Sequence, residues 1–410
     1  MFKNIDRRLI TILSIVFVQL AGAAMILPIL PLYAEREFSM PPSTITLLVS
    51  AYFAAQFFAG PFLGQLSDRY GRVPLLVISQ FGSAVSFFMM AAAGSVGMLF
   101  AARLLDGITG GNIIVAQAYI TDITPPEKRT QGLGYIYAVF GLGFIVGPAL
   151  GGLLSAWLGA RLPFVIAGAA ALITAAMSWL LLDETVTAEQ PGQGTGRRRA
   201  LDLGVVRHNT SLLLTLVIGF VGQFALGLLQ STFALYGAAV LFASYSDQIV
   251  NLGVGLLLAV VGAAQFVTQI WLLGPLKERL GDGRLVILGT ISRAAGLSLF
   301  AVLPTIWAAG IASLLFAFGQ GVMMPPLQSL ATRTMPEAMR GGVLGLFQSS
   351  VSLATIFSTA IAGVIFSLQP SIPFWLGAGL SALVVLPALV LLRRSQQDEL
   401  KPAGVSSSAN

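Results

Sequence analysis

Three charged side chains lie well inside long uncharged stretches of the sequence: Arg103, Asp106 and Arg293. A charge at the centre of a membrane helix costs about 2.5–3.5 kcal/mol on insertion scales, so such residues are by default paired or functional. Arg103 and Asp106 are three residues apart, which places them on one helix face. Burial disfavours a carboxylate and a guanidinium favours it, so a rearrangement that separates the two would let Asp106 bind a proton.

We therefore predict that Asp106 is a proton-binding residue with Arg103 as its partner, while a static ion pair that holds neighbouring helices together remains an alternative. For Arg293, the sequence allows a partner across the bundle, contact with water, or binding of an anion. No acidic residue lies inside the later apolar stretches. An anionic substrate is therefore the second hypothesis, with Arg103 as a further contact.

The elements that hold these residues must be membrane helices. The chain has 410 residues, of which 10% are charged and 56% hydrophobic, and its mean hydropathy is +0.85. A soluble protein has about 25% charged residues, so a soluble enzyme is excluded. With no cysteine and one histidine, we expect no disulfide, no metal site and no cofactor. The sequence also contains no phosphate-binding P-loop, and the basic charge indicates orientation and not nucleic-acid binding.

Twelve apolar stretches, uncharged apart from Arg103, Asp106 and Arg293, are long enough to span a bilayer. They are 9–33, 44–65, 74–95, 97–121, 131–157, 162–182, 211–238, 248–273, 285–303, 306–330, 342–367 and 372–392. When the loops are assigned to alternate sides, one side receives 19 Lys and Arg residues and the other receives only Arg36 and Arg161. The positive-inside rule then predicts an inner-membrane protein with both termini in the cytoplasm.

The spans fall into two groups of six. We predict an all-α membrane protein with a six-helix bundle at 1–182, a polar cytoplasmic linker at 183–210, a second bundle at 211–394 and a disordered tail at 395–410. The loop after span two and the loop after span eight match at an offset of 210 residues, which indicates an internal repeat. The matched pairs are Gly64 and Gly274, Asp68 and Glu278, Arg69 and Arg279, and Gly71 and Gly281.

The first of these loops, with Gly64, Asp68, Arg69, Gly71 and Arg72, resembles the loop 2–3 signature of the major facilitator superfamily. The resemblance covers nearly the whole chain. It implies that the two loops form a cytoplasmic latch, in which Asp68 meets the N-terminus of helix eleven. A carboxylate is favoured there by the helix dipole. The alternative is that Arg69 and Arg72 serve only as positive-inside anchors, and both roles can coexist.

Two further motifs carry the resemblance. Arg103, Asp106 and Gly107 resemble the family's helix-four motif. The glycines and proline of span five resemble the motif of its drug:proton antiporters, and they would let a neighbouring backbone approach closely. These residues are Gly134, Gly143, Gly147, Pro148, Gly151 and Gly152. Segments of span four resemble the tetracycline-efflux branch, but Gln19, Gln265 and Arg293 stand where that branch has its intramembrane acids and histidine.

Spans one, four, seven and ten line the central cavity in this family. The resemblance therefore implies a substrate cavity with Gln19, Asn112, Gln230 and Gln320, to which Tyr137 and Arg293 are added as aromatic and cationic candidates. We predict a monomeric secondary transporter in the bilayer that exports lipophilic drug-like molecules in exchange for protons. The alternatives are an organic-anion or metabolite exchanger that uses Arg103 and Arg293, and a receptor or scaffold without transport.

Overall fold

The computed structural model describes residues 7–110, 112–125, 129–185, 209–335 and 339–400. These residues form helices and contain no strand. The helices are α1 (Arg7–Phe38), α2 (Pro42–Tyr70), α3 (Arg72–Ala91), α4 (Val96–Thr109), α5 (Asn112–Ile123), α6 (Arg129–Leu158), α7 (Leu162–Leu181), α8 (Thr210–Tyr236), α9 (Asp247–Val267), α10 (Leu273–Val302), α11 (Ile306–Arg333), α12 (Arg340–Leu368) and α13 (Ile372–Leu400).

These helices make twelve membrane crossings. Among the described residues, eleven helical segments are long and apolar enough to cross a membrane, and one of them, Asp247–Val302, has 56 residues. At 1.5 Å per residue it would reach about 84 Å, against a hydrocarbon core of about 30 Å. Gly281 interrupts it with a φ of 74°, so it contains two crossings. The predicted all-α fold with twelve spans is confirmed.

Local sequence explains where several helices begin and end. Ser95, Asn209 and Thr305 accept hydrogen bonds at the starts of α4, α8 and α11, as N-cap side chains do. Gly71 has a φ of 106° between α2 and α3, a conformation that favours glycine. Gly71 and Gly281 are the repeat-related glycines of the two loops, so the same residue type makes the same turn in each half.

Two helices of the second bundle continue as short segments of π-helix. Gly237–Leu241 continues α8 and Thr268–Leu272 continues α9. In span four, α4 ends at Thr109 with Gly110 in a turn, and α5 begins at Asn112; Gly111 between them lies outside the described residues. The sequence predicts one continuous helix over 97–121, and the structure divides it at Gly110. Broken membrane helices are typical of sites where transporters bind substrates or ions.

The helices form two six-helix bundles with matching internal contacts. In the first bundle, α1 packs on α6, α3 on α7, and α2 on α4; in the second, α8 packs on α12, α10 on α13, and α9 on α11. The bundles meet through α2 against α12 and α6 against α9. In the internal repeat α2 corresponds to α9 and α6 corresponds to α12. The two interfaces therefore have equivalent positions in the two bundles, as an internal repeat requires.

The bundles are joined at one face and separate at the other. The terminus face is the face at which α1 begins and α13 ends, and the other is the opposite face. Towards the opposite face, one apolar core combines Ile29, Leu48 and Phe164 with Phe233 and Phe366 of the second bundle. Towards the terminus face there are two cores. One contains Ile12, Val73 and Ile120, and the other contains Leu212, Val286 and Leu330. The molecule is therefore closed at the opposite face.

Two predicted boundary regions are only partly described. The linker prediction covers 183–210, of which 186–208 lie outside the described residues. The tail prediction begins at 395, whereas α13 continues to Leu400, and 401–410 lie outside the described residues.

Candidate functional site

The centre of the candidate site is an ion pair in the last turns of α4. Arg103 Nη1 lies 3.1 Å from Asp106 Oδ2, and both side chains are buried. The three-residue spacing brings them together on one helix face, as the sequence predicts. The Nε atom of Arg103 has no hydrogen-bond partner among the described residues. The pair therefore leaves one buried donor of the guanidinium available.

An aromatic ring from α2 covers the guanidinium. The Cζ atom of Arg103 lies 4.2 Å from the centroid of the Tyr52 ring, a distance at which a cation is attracted to an aromatic face. One turn later, the Gln56 amide donates to the Tyr52 hydroxyl and to the Gly110 carbonyl, each at 3.1 Å. Gln56 thus connects the aromatic ring with the carbonyl at which α4 ends.

Glycine and serine allow this close packing. A Cβ atom at Gly107 would lie 2.7 Å from the Ala55 Cβ and would also collide with the Tyr52 carbonyl, so only glycine fits between α4 and α2. From α3, Ser83 lies against the Asp106 carboxyl and is itself buried. Among the described residues, the site is therefore formed by α2, α3 and α4 of the first bundle.

Arg293 lies in a different environment within the second bundle. Its side chain is 1% exposed, and Nη2 donates to the Gly222 carbonyl of α8. Nη1 lies 3.6 Å from the Met323 sulfur, and the guanidinium is 5.2 Å from the centroid of the Phe316 ring. No described carboxylate pairs with it, and its Nε atom has no described partner. Arg293 thus connects α10 with α8 and α11.

The predicted cavity amides have different surroundings. Gln19 is buried and accepts a hydrogen bond at 3.2 Å from Thr174 of α7, inside the first bundle. Gln320 is buried with an unpaired Oε1 atom among the described contacts, and Gln230 is partly exposed. The side chains of Asn112 and Tyr137 lie outside the described residues. Their assignment to a substrate cavity stays a prediction.

The loop between α2 and α3 forms an ionic network at the terminus face. Arg72 pairs with Asp68 and, through Nε at 3.0 Å, with Asp122 at the end of α5. Glu184, which follows α7, accepts from the backbone N–H groups of Arg72 and Val73 at 2.8 Å and 3.0 Å. A carboxylate at a helix N-terminus is electrostatically favoured. Glu184 therefore occupies the N-terminus of α3.

The matching network of the second bundle has the opposite charge at its centre. Asp282 lies 210 residues after Arg72, and its carboxylate contacts Lys277 Nζ at 3.1 Å and Arg333 Nη2 at 3.3 Å. Arg333 ends α11, as Asp122 lies at the end of α5. Glu278 and Arg279, the predicted counterparts of Asp68 and Arg69, are both exposed. Polarity is thus reversed between the two repeats.

The span-five glycines form close helix contacts. Cβ atoms at Gly143 and Gly147 would lie 3.0 Å from the Leu20 Cβ and 2.6 Å from the Ala21 carbonyl of α1, and one at Gly151 would collide with the Met25 carbonyl. Gly152 faces α9 instead, and a Cβ there would lie 2.6 Å from a backbone carbonyl of that helix. Pro148 lies inside α6, and the surroundings of Gly134 lie outside what the structure describes. The glycines place α6 against both α1 and α9.

A polar clasp joins the two bundles at the opposite face. Arg36 of α1 pairs with Asp247 of α9 at 3.0 Å and donates to Asn251 Oδ1 at 3.0 Å. The Asn251 amide donates to Ser155 of α6 at 2.8 Å. Sequence reasoning gave Arg36 only an outside location, and it did not single out Asn251. The available signal was that Arg36 and Asp247 have opposite charges and lie in two predicted outer loops.

Sequence reasoning also did not predict that Tyr52 and Gln56 contact the site of the Arg103–Asp106 pair. The signal was weak, because an aromatic residue and an amide at i, i+4 on an apolar helix are common. Their importance depends on which face of α2 meets α4, and that is decided by the missing side chain of Gly107.

Family comparisons agree with this architecture. The model of the Major Facilitator Superfamily matches residues 12–248 and 224–408, which together include both bundles. The chain belongs to the major facilitator superfamily. It is a multi-pass membrane transporter and not an enzyme.

Several curated relatives match over nearly their full length. The tetracycline resistance protein of class H from Pasteurella multocida is 29% identical over 95% of this chain and 98% of its own. The class C protein from Escherichia coli is 31% identical over 94% and 96%. Multidrug resistance protein 2 of Bacillus subtilis strain 168 is 27% identical over 95% and 96%.

Solved structures share the fold at lower identity. The nucleoside transporter NupG has a TM-score of 0.77 at 16% identity, with 95% of this chain and 100% of that one covered. A bacterial homologue of the lysosomal transporter Spinster, in an inward-facing and occupied conformation, has a TM-score of 0.75 at 16% identity, with 96% and 98% covered. These similarities support the fold alone.

Proposed function

We propose that this protein is a secondary transporter that exports lipophilic drug-like small molecules in exchange for protons, by alternating access. The tetracycline and multidrug resistance relatives support export of such compounds. We further propose that it acts as a monomer in the inner membrane with both termini in the cytoplasm. The distribution of Lys and Arg supports this orientation of the termini.

One observation carries the proton-coupling part of this proposal. The Arg103–Asp106 pair is buried in the last turns of α4, one turn before the span is interrupted at Gly110. A buried carboxylate that keeps its charge needs its cation at contact distance. Loss of that contact would favour protonation of Asp106, and return of the guanidinium would favour release of the proton. The pair can therefore exchange a proton if its contact opens and closes during transport.

The direction of the conformational cycle follows from the two cores. With the terminus face in the cytoplasm, the described state is open to the cytoplasm and would admit substrate from inside the cell. Export then requires the two terminus-face cores to approach and the shared core at the opposite face to separate. Asp68, Arg69 and Arg72 in one loop, and Glu278 and Arg279 in the other, are proposed to latch the terminus face when it closes.

The test is a flux assay in proteoliposomes with an imposed pH gradient, using a fluorescent lipophilic cation as substrate. We expect Asp106→Asn to lose gradient-driven export while keeping gradient-independent exchange of the substrate across the membrane. Glu37→Gln is the control, because it removes an acid that lies outside the pair. Gradient-driven export by Asp106→Asn at the unmodified rate would overturn the coupling role.

An organic-anion exchanger is the second candidate, and it depends on Arg293. The favourable observation is that this buried guanidinium has no described carboxylate partner. Arg103 would be the second cationic contact. Substrate charge preference in the same flux assay distinguishes the two carriers.

A further inference from the structure

The aromatic ring on Arg103 makes the ion pair a three-residue assembly. Arg103 lies between the Asp106 carboxylate at 3.1 Å and the Tyr52 ring at 4.2 Å, and Asp106 is held on α4 while Tyr52 is held on α2. The position of the guanidinium therefore depends on contacts with both α4 and α2. Because cation–π attraction is stronger in a desolvated site, the ring contributes to holding Arg103 beside Asp106.

Gln56 fixes the position of that ring. Its Nε2 atom donates to the Tyr52 hydroxyl and to the Gly110 carbonyl, and Gly110 is the residue that directly follows α4. The same amide therefore contacts the ring and the broken end of the helix that carries the ion pair. A shift of α2 along α4 would disturb the amide contacts and the ring position together.

We propose that Tyr52 and Gln56 are positioning residues for proton exchange at Asp106, with the Tyr52 ring holding the Arg103 guanidinium on the carboxylate and Gln56 tying that ring to the end of α4. This rests on the proposed role of Asp106 in proton coupling. The charged and titratable side chains that interact with Asp106 among the described residues are Arg103 on α4 and Tyr52 on α2. From α3 the contact is Ser83, which does not titrate.

The experiment follows protonation of Asp106 directly. Infrared difference spectra of the purified full-length protein are recorded as a function of pH, and the carboxyl C=O band of Asp106 is assigned by its loss in Asp106→Asn. When the ring is removed in Tyr52→Leu, we expect the guanidinium to leave the carboxylate, so that the proton binds at higher pH. The titration midpoint should rise by about one pH unit.

Conservative variants separate the ring from the hydroxyl. Tyr52→Phe keeps the ring but loses the hydroxyl that accepts from Gln56, so its midpoint should rise no further than that of Gln56→Leu. Gln56→Leu loses both amide contacts and should raise the midpoint by less than Tyr52→Leu. Tyr52→Met fills a similar volume without a ring and replaces Tyr52→Leu if the latter does not fold. Phe58→Leu and Gln65→Leu, which change exposed side chains of the same helix, should leave the midpoint unchanged.

The outcomes separate this proposal from the proposed function. An unchanged midpoint in Tyr52→Leu or Tyr52→Met would overturn the positioning role of Tyr52, and an unchanged midpoint in Gln56→Leu would overturn that of Gln56. A raised midpoint in a protein whose export ignores the pH gradient would support positioning and overturn proton coupling. An Asp106 band with constant intensity at every pH in all variants would overturn both.

Discussion

At the scale of single residues, Arg293 shows how a buried cation can be held without an acid. Its contacts are a backbone carbonyl, a sulfur atom and an aromatic face, all from neighbouring helices. A hydrogen bond to a charged donor contributes about 1.5–3 kcal/mol, and the ring adds cation–π attraction. Interhelical packing therefore accounts for most of its contacts, and the unpaired Nε atom is the feature that packing leaves unexplained.

Two substitutions at Arg293 distinguish packing from anion binding. Arg293→Ala should lower the free energy of unfolding by about 2–4 kcal/mol, because it removes the carbonyl contact and leaves a cavity. Arg293→Met should cost much less, since replacing a buried charge with an apolar side chain of similar volume is often close to neutral. Thermal unfolding in detergent measures both, with exposed Arg284→Ala as the control.

Flux measurements complete the comparison. If Arg293 binds an anionic substrate, Arg293→Met should be stable yet lose anion transport. Normal anion export by this stable variant would remove the main support for the exchanger. Equal destabilisation by Arg293→Ala and Arg284→Ala would instead contradict the packing role.

At this scale the sequence predicted contacts that depend on local spacing. The Arg103–Asp106 pair follows from a three-residue separation on one helix, which needs no knowledge of the fold. The partner of Arg293 could not be predicted, because a backbone carbonyl such as that of Gly222 carries no signature in the side-chain sequence. The same limit applies to Tyr52, whose contact with Arg103 requires the register between two helices.

At the scale of elements, the two loop networks show that a repeat can keep its geometry and reverse its charge. In the first bundle a central cation, Arg72, is surrounded by acids. In the second a central anion, Asp282, lies between Lys277 and Arg333. In each bundle the network connects the loop with the end of a span, which is the fourth span in the first bundle and the tenth in the second. Both arrangements are attractive, because the attraction depends on opposite charge and not on which partner carries it.

The side chain of Asp282 is 5% exposed, and this predicts unequal effects of two neighbouring acids. Asp282→Asn should lower the free energy of unfolding by about 1–3 kcal/mol, because it leaves two cations close together around a buried centre. Glu278→Gln, four residues earlier and exposed, should change it by less than about 0.5 kcal/mol. Thermal unfolding of both variants measures the difference, and equal effects would show that the Asp282 network does not stabilise the second bundle.

The sequence predicted most elements but not the interruption of span four. Hydropathy locates the spans because lipid-facing and buried helices both exclude charge, and the 210-residue offset identified Gly71 and Gly281 as equivalent turns. The Gly110–Gly111 pair followed by Asn112 was present as a helix-ending signal. The prediction of one span over 97–121 followed the apolar residues on both sides of this pair instead. Hydropathy does not report whether the helix backbone is continuous.

At the scale of the whole molecule, opening of the opposite face must break a defined set of contacts. The shared apolar core and the clasp of Arg36, Asp247, Asn251 and Ser155 both join the bundles there. The apolar core is non-directional, so it favours closure without specifying a register. The clasp specifies which residues of α1, α6 and α9 meet, and it should bias the molecule towards the described state.

Loss of the clasp should therefore shift the conformational equilibrium. Arg36→Ala removes an ion pair and a hydrogen bond between the bundles, and a loss of about 1 kcal/mol changes a two-state ratio by about fivefold. The chain contains no cysteine, so spin labels can be attached at Ser39→Cys and Ser244→Cys without background labelling. Pulsed electron spin resonance should then show a larger fraction of long distances across the opposite face.

The neighbouring pair of Arg161 and Glu37 provides a matched control. Their charged groups lie 3.7 Å apart near the same face, but both residues belong to the first bundle, so Arg161→Ala should leave the distance distribution unchanged. Asp247→Asn keeps a hydrogen-bond acceptor for Arg36 and should give an intermediate shift. If Arg36→Ala and Arg161→Ala give the same distribution, the shared apolar core alone keeps the opposite face closed, and Arg36 contributes nothing to the choice of state.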